Sequence, residues 1–197
     1  MNTLIPRATE MSHILLALVA GPGDTVIDAT AGWGRDTCFL AALVGETGQV
    51  WSFDIQEQAC LATAEALLRQ GLSAQVRVVC DDHANIADYN IPQVKAAVFN
   101  LGWLPGSDHS VVSGGSGVIL AMEAVLDKLK IGGIIVVVTY PGHAAGAEET
   151  AALRNWVAKL PAARAQTMQI TFPSKELAPL VIVIEKADQP AHIIVEE

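Results

Sequence analysis

Apolar and polar positions follow two alternating rhythms along most of the chain. Short, nearly continuous apolar runs are each followed by a segment whose apolar residues recur every three or four positions. The first rhythm is typical of buried strands in a parallel sheet, and the second of amphipathic helices. The pattern therefore predicts strands at about 25–29, 49–54, 75–80, 95–100 and 134–139.

Helical periodicity predicts helices between these strands. One starts with Thr9 as its cap and stops at Gly21, and others cover the segment up to about 44, then 57–70, 118–129 and 147–160. Gly71 is expected to end the third helix. The spacing places Met11, Ile14, Leu15, Leu18 and Val19 on the inward face of the first helix, and Cys60, Leu61, Ala64, Leu67 and Leu68 on that of the third.

Two more strands, at about 165–172 and 179–186, are joined by the short segment 173–176, which is typical of an antiparallel hairpin. Alternating strands and helices favour a mostly parallel sheet with helices on both faces. The predicted fold class is α/β, with a seven-stranded sheet that ends in a C-terminal antiparallel hairpin. The length, 197 residues, suggests one domain over 1–197.

Composition narrows the functional classes. The chain is 51% hydrophobic and carries a net charge of −9, which argues against broad, sequence-independent nucleic-acid binding. Cys38, Cys60 and Cys80 are far apart, lack metal-ligand spacing and suit a reducing compartment. No apolar run reaches the roughly 20 residues of a membrane span. We expect a cytoplasmic protein with no membrane association and no metal site.

The segment Thr25–Asp36 carries the strongest chemical signal. An apolar strand ends at Asp28, and Gly32 and Gly34 precede a helix start. Such a turn brings backbone N–H groups and the positive end of a helix close to a ligand. Asp28 would repel a pyrophosphate but suits a cationic ammonium group.

A second carboxylate, Asp54, ends the next strand, 20 positions after Gly34. This is the spacing at which a carboxylate meets a ribose hydroxyl pair. An ammonium at one carboxylate and a ribose at the other describe S-adenosylmethionine better than NAD. A dinucleotide site remains the alternative, as does a turn that binds nothing.

The remaining polar clusters also follow strands. Ligands of such sheets bind beyond the carboxyl ends of the strands, where Asp81-Asp82-His83, the segment 100–109 and Tyr140–His143 are all expected. Asp82, in preference to Asp81, is the candidate partner of the adenine amine. His13 is a further candidate for lining the site.

The segment after the fourth strand, Asn100 to His109, is expected to face the methyl acceptor. Asn100 can hold an amine with its lone pair towards the methyl group, and Asp108 and His109 can attract or deprotonate it. Trp103 can stack on a base, worth about 1–3 kcal/mol. The alternatives are a core tryptophan and ordinary loop hydrogen bonds.

The motifs Asp28-Ala-Thr-Ala-Gly-Trp-Gly-Arg-Asp-Thr and Asn100-Leu-Gly-Trp-Leu-Pro-Gly-Ser-Asp-His-Ser resemble those of a small bacterial family of class I methyltransferases, the rRNA methylases. The resemblance covers nearly the whole chain. It implies a Rossmann-like fold, S-adenosylmethionine as donor, and N-methylation of the aminomethyl group of 5-aminomethyl-2-thiouridine at the tRNA wobble position. Trp103, Ser107 and the segment 113–117 depart from the family pattern.

The candidate residues fall into three groups. We expect catalytic roles for Asn100, Asp108 and His109. The expected donor-binding residues are Asp28, Thr30, Gly32, Gly34, Asp36, Thr37, Asp54, Ile55, Asp82, His83 and Asn100, and the expected acceptor-binding residues are Leu101, Gly102, Trp103, Pro105, Gly106, Tyr140 and His143.

The expected partner is the anticodon region of tRNA. Arg7, Arg35, Arg154 and Lys159 are candidate phosphate contacts, and a homodimer is one way to assemble a basic groove from so acidic a chain. The alternatives are an rRNA or small-molecule methyltransferase on the same scaffold, a NAD-linked oxidoreductase, and a non-catalytic module that binds S-adenosylmethionine.

Overall fold

The computed structural model describes residues 4–102, 115–172 and 178–188. In these ranges a seven-stranded sheet has the order β3-β2-β1-β4-β5-β7-β6. Strands β1 to β5 are parallel and β7 runs antiparallel to both β5 and β6, which confirms the predicted fold class. The strands are β1 Thr25–Asp28, β2 Gln49–Asp54, β3 Val76–Cys80, β4 Val94–Leu101, β5 Leu129–Thr139, β6 Ala165–Thr171 and β7 Leu180–Lys186.

Five α-helices in the described ranges cover the two faces of the sheet. One face carries α1, α2 and α3, whose buried side chains pack with Val26 and Val136. The other carries α4 and α5, which pack with Ile27 and Ile135. The helices are α1 Ala8–Val19, α2 Arg35–Val44, α3 Glu57–Gln70, α4 Gly115–Lys128 and α5 Ala144–Val157, and short 3₁₀ turns lie at Ser73–Gln75 and His83–Asp88.

The inward faces of two helices differ from the prediction. In α1 the buried residues are Ala8, Ser12 and Leu16, and Leu18 is 76% exposed. The helix is apolar around most of its circumference, so periodicity did not define one face. Its first turn also starts earlier than predicted, with Arg7 as the N-cap and the Arg7 N–H donating to Glu10 at 2.8 Å.

Helix α3 has the predicted bounds, and Gly71 ends it in the left-handed conformation. Its buried face is Ala59, Cys60, Thr63, Ala66 and Leu67, whereas Leu61 and Leu68 are exposed. Small residues on the inner side let the helix approach the turn before α2 closely.

Strand β5 begins five residues before the predicted start. Gly132 has a φ of +66°, and the β4–β5 register shifts between Val94 and Ala96. A side chain on Gly133 would lie 2.8 Å from the carbonyl oxygens of Lys95 and Lys130. The glycine pair is therefore an irregularity inside the strand and not a turn before it.

The sheet order reverses direction between β1 and β4, which lie side by side. β2 and β3 extend to one side of this pair, and β5, β7 and β6 to the other. The loops after β1 and β4 therefore diverge to opposite faces and leave a crevice at their carboxyl ends.

Candidate active site

A cavity of about 770 Å³ opens at this crevice, where the sequence predicts the site. The volume lies within the range of small-molecule and cofactor sites. It is lined by Thr9, His13, Ala29, Thr30, Ala31, Gly32, Trp33, Arg35, Asp36, Asp54, Ile55, Gln56, Asp82, His83, Asn100, Leu101, Gly102, Tyr140, His143, Gly146 and Glu149.

Asp28 does not line this cavity, in contrast to its expected contact with an ammonium group. Its carboxylate is 0% exposed, accepting hydrogen bonds from the Thr37 hydroxyl at 2.6 Å and the Thr30 N–H at 3.1 Å. Burial, reinforced by the nearby Asp36 charge, raises the pKa of Asp28 from 3.8 to about 7. The buried hydrogen bond between Asp28 and Thr37 thus joins β1 to α2 behind the cavity wall.

Gly34 also has a different role from the expected one. It caps α2 with a φ of +76°, and a Cβ there would lie 3.0 Å from Thr63 Cα and 3.2 Å from Thr63 Oγ1. Because Gly34 has no side chain, the turn packs closely against α3. Of the two glycines, Gly32 lines the cavity and is the one that a ligand can approach.

Asp54 is held in place by the glycine turn. Its Oδ2 accepts from the Gly32 N–H at 2.9 Å and its Oδ1 from the Gln56 N–H at 3.0 Å. Each carboxylate oxygen has a further lone pair, so Asp54 can still accept hydrogen bonds from a ligand. The half-exposed Ile55 follows it along the same wall.

The two candidates for the adenine amine have separate environments. Asp81 accepts from the Tyr89 hydroxyl at 2.8 Å and the Asn85 amide at 2.9 Å, and these bonds lower the pKa of its carboxyl. Asp82 lines the cavity and caps the following 3₁₀ turn by accepting from the Ala84 N–H at 2.9 Å. The geometry favours Asp82, the preferred candidate.

His83 lines the cavity and is 6% exposed. Its ring packs edge-on against Phe99 with centroids 5.9 Å apart, and it hydrogen-bonds the backbone of Ala29. Burial lowers the pKa of the ring, which favours neutral imidazole. Its Nε2 has no hydrogen-bond partner among the residues the structure describes.

Asn100 lies at the centre of the hydrogen-bond network. Its backbone N–H donates to Thr30 Oγ1 at 2.8 Å, and its Nδ2 donates to Asp36 Oδ2 at 3.2 Å. The Tyr140 hydroxyl donates to Asn100 Oδ1 at 2.9 Å. Asp36 at the start of α2 and Tyr140 after β5 thus orient the side-chain amide, and Thr30 after β1 accepts from the backbone of the same residue.

The network continues from Asp36 to α1. His13 Nε2 lies 2.6 Å from Asp36 Oδ1, and the His13 ring stacks on Phe39 with centroids 3.9 Å apart and parallel planes. Stacking and the short contact leave the imidazole one orientation. His13 therefore lines the cavity as a support for Asp36.

The far wall is formed by the end of β5 and the start of α5. Burial, and then the Asp36 charge, raise the pKa of Tyr140, so its hydroxyl remains a donor at neutral pH. His143 caps α5 by accepting from the Gly146 N–H at 3.0 Å through Nδ1. A Cβ on Gly146 would overlap the Tyr140 carbonyl oxygen and the His143 ring.

Several candidate residues lie outside the described ranges, namely Trp103, Pro105, Gly106, Asp108 and His109. Their roles stay predictions. Conversely, Glu149 and Thr9 line the cavity without having been predicted. Glu149 follows no strand end or glycine turn in the sequence, so no motif pointed to it.

The chain is similar to known proteins over most of its length. The family model "Putative rRNA methylase" matches residues 50–186. The chain belongs to this family. It is 31% identical to a chloroplastic tRNA (mnm(5)s(2)U34)-methyltransferase of Arabidopsis thaliana, over 92% of this chain and 70% of that protein.

Solved structures agree with the family. A protein of Clostridium thermocellum, described as an rRNA methylase, has a TM-score of 0.90 at 36% identity, covering 93% of this chain and all of that one. A "putative methyltransferase" of Streptococcus mutans in complex with S-adenosylhomocysteine has a TM-score of 0.84 at 32% identity, covering 93% and 99%.

This rRNA methylase family member is an S-adenosylmethionine-dependent methyltransferase. Its chemistry is therefore methyl transfer and not the hydride transfer of a NAD-linked oxidoreductase. Within residues 4–102, 115–172 and 178–188, no helix is both long and apolar enough to cross a bilayer.

Proposed function

We propose that the protein methylates the aminomethyl nitrogen of 5-aminomethyl-2-thiouridine at the wobble position of tRNA. One observation carries the proposal: an amide, Asn100, is oriented by Asp36 and Tyr140 within the cavity, where it can hold a small polar acceptor. The printed function of the Arabidopsis relative supports this acceptor. A tRNA substrate is also consistent with a family named for RNA.

The donor fits the wall formed by β1, β2 and β3. We assign Gly32 and Thr30 to the methionine part, Asp54 to the ribose hydroxyls and Asp82 to the adenine amine, because all four residues line the cavity. His83 also lines this wall, and its buried Nε2 has no hydrogen-bond partner among the described residues. When bound, S-adenosylmethionine supplies an electrophilic methyl group on a positively charged sulfur.

The acceptor fits the opposite wall, where Asn100 is found. Tyr140 occupies one lone pair of Asn100 Oδ1, and the second lone pair can accept an N–H of the acceptor amine. Held in this way, the amine nitrogen keeps its own lone pair for attack. A Cβ on Gly102 would lie only 3.2 Å from the Tyr140 ring, so the wall there is tight.

Positioning outweighs acid–base chemistry in this reaction. With the lysine pKa of about 10.4 as an upper reference, neutralising the amine at pH 7 costs up to roughly 4–5 kcal/mol. Holding the two reactants in line contributes roughly 7–11 kcal/mol. The residues that orient Asn100 are therefore expected to control turnover.

A phosphate contact is available beside the cavity despite the net charge of −9. Arg35 is exposed, lines the cavity and stands at the first position of α2. Arg7, also exposed, caps α1, which borders the same opening through Thr9. We assign these two cations to the RNA backbone next to the wobble nucleotide.

The alternative acceptor is rRNA, which the family description names. The test combines the purified protein, labelled S-adenosylmethionine and either tRNA from a strain that stops at the aminomethyl stage or rRNA, followed by nucleoside mass spectrometry. A methylaminomethyl nucleoside in tRNA supports the proposal. Methyl incorporation confined to rRNA would refute it.

Asn100→Ala tests the residue that carries the proposal. We expect this variant to lose most of its turnover, because the acceptor amine is no longer oriented, while affinity for S-adenosylhomocysteine measured by calorimetry stays near that of the wild type. Near-normal turnover would show that Asn100 does not hold the acceptor.

A further inference from the structure

Glu149 lies in the second turn of α5 and is 9% exposed, yet it lines the cavity. None of the residues that the structure describes donates a hydrogen bond or forms an ion pair with its carboxylate. It shares this wall with Tyr140, His143 and Gly146, on the acceptor side of the site.

The other cavity carboxylates within the described ranges are all hydrogen-bonded. Asp36 contacts His13 and Asn100, Asp54 accepts two backbone N–H groups, and Asp82 accepts one. Glu149 differs because no donor within the described ranges compensates for its burial.

A buried carboxylate in this condition either binds a proton or meets a cation. Burial raises the pKa of Glu149 from 4.5 to about 7. Near neutral pH the Glu149 carboxyl is therefore partly protonated, and a bound cation would favour its ionised form. Because Glu149 stands on the acceptor wall, the expected ligand is the cation brought by the acceptor.

We propose that Glu149 binds the primary ammonium group of the acceptor and accepts its proton before methyl transfer. This inference rests on the proposed function, since it assigns a residue to the aminomethyl group of the substrate nucleoside. The two residues then have different roles at the acceptor wall: Glu149 binds the ammonium and accepts its proton, and Asn100 orients the resulting amine.

Protons, electrons and charge balance in this step. The ammonium transfers one proton to the Glu149 carboxylate, giving a neutral amine and a carboxylic acid. The amine lone pair then forms the N–C bond to the methyl carbon while the C–S bond breaks and its electron pair stays on sulfur. The positive charge lost from sulfur appears on the secondary ammonium of the product.

The experiment uses two anticodon stem–loop RNAs, with 5-aminomethyl-2-thiouridine or 5-hydroxymethyl-2-thiouridine at the wobble position. Binding of both RNAs and methylation of the first are measured for the wild type, for Glu149→Gln and for Glu148→Gln. Glu148 is the matched control, because it is the neighbouring glutamate on α5 and is exposed. Calorimetry with S-adenosylhomocysteine and thermal unfolding report on the donor site and the fold.

The wild type is expected to bind the aminomethyl RNA more tightly than the hydroxymethyl RNA. Glu149→Gln should lose this preference and about a hundredfold or more in kcat/KM, the scale of a lost proton acceptor, with donor affinity preserved and Tm not lowered. Glu148→Gln should resemble the wild type.

Two outcomes overturn the inference separately from the proposed function. If the wild type methylates the aminomethyl RNA but binds both RNAs equally well, the proposed contact between Glu149 and the ammonium is refuted, whatever the variants do. Glu149→Gln with wild-type kcat/KM removes the proton acceptor. Wild-type protein that binds S-adenosylhomocysteine but does not methylate the aminomethyl RNA refutes the proposed function, and the role of Glu149 with it.

Discussion

The hydroxyl of Tyr140 offers the most direct test of how Asn100 is oriented. Tyr140→Phe removes the donor that lies 2.9 Å from Asn100 Oδ1 and leaves the aromatic ring that packs on Gly102. The amide oxygen then lacks a partner in a partly buried site, which costs about 1–3 kcal/mol. If that orientation is needed in the transition state, turnover falls by about 5- to 150-fold.

The chain offers a matched control for this change. It has two tyrosines, and Tyr89 also donates to a side-chain oxygen, that of Asp81 at 2.8 Å. Neither of these residues lines the cavity. Tyr89→Phe therefore removes a tyrosine hydrogen bond, here to a carboxylate, away from the proposed chemistry.

The assay compares single-turnover methylation rates of tRNA for both variants with S-adenosylhomocysteine affinity measured by calorimetry. We expect only Tyr140→Phe to be slow, and both variants to bind the donor product normally. A Tyr140→Phe rate within twofold of the wild type, or an equal loss in Tyr89→Phe, would refute the role assigned to the Tyr140–Asn100 bond.

Two further predictions concern the turn between β1 and α2. Because its pKa is raised, Asp28 keeps its proton in the folded state at pH values where the unfolded chain has lost it. The free energy of unfolding therefore falls as pH rises from about 4 to 7, by up to about 4 kcal/mol. In urea titrations at several pH values, Asp28→Asn should make the free energy of unfolding less dependent on pH. Some dependence should remain, because the raised pKa of Glu149 acts in the same direction. An unchanged pH dependence would contradict the raised pKa of Asp28. Gly34→Ala should lower the free energy of unfolding by about 1–3 kcal/mol, through backbone strain and the contact with Thr63. The control is Gly71→Ala, because Gly71 has a φ of +68° and no atom lies within 4 Å of an added Cβ. An equal loss of unfolding free energy in this control would show that the contact with Thr63 contributes nothing.

The order of elements was predictable because it depends on local patterns. Strand runs and helical spacing are properties of neighbouring residues, and they indicated the bounds of α3 and the antiparallel end of the sheet. The faces of α1 and α3 were not predictable in the same way. Leu18 and Leu68 have the right spacing for a core, but the buried faces are those that carry Leu16 in α1 and Leu67 in α3.

The position of the site was predictable from the strand ends, whereas the direction of each side chain was not. Asp28 and Asp36 flank the same turn, yet the first points into the core and the second into the cavity. The contacts of Asn100 join residues 40 to 70 positions apart. No local pattern encodes pairings at such separations. Glu149 was missed because it follows no strand end or glycine turn in the sequence.

The balance of charge on the cavity wall has a consequence for release of the spent donor. Among the described residues that line it, Asp36, Asp54 and Asp82 face a single arginine, Arg35, and the proposed step leaves Glu149 uncharged during transfer. S-adenosylmethionine carries a positive sulfur, and S-adenosylhomocysteine carries a neutral one. The acidic wall attracts the first more than the second, so the electrostatic attraction weakens at the moment of transfer. We therefore expect by-product to exchange readily for fresh donor, which a comparison of the two dissociation constants by calorimetry would check.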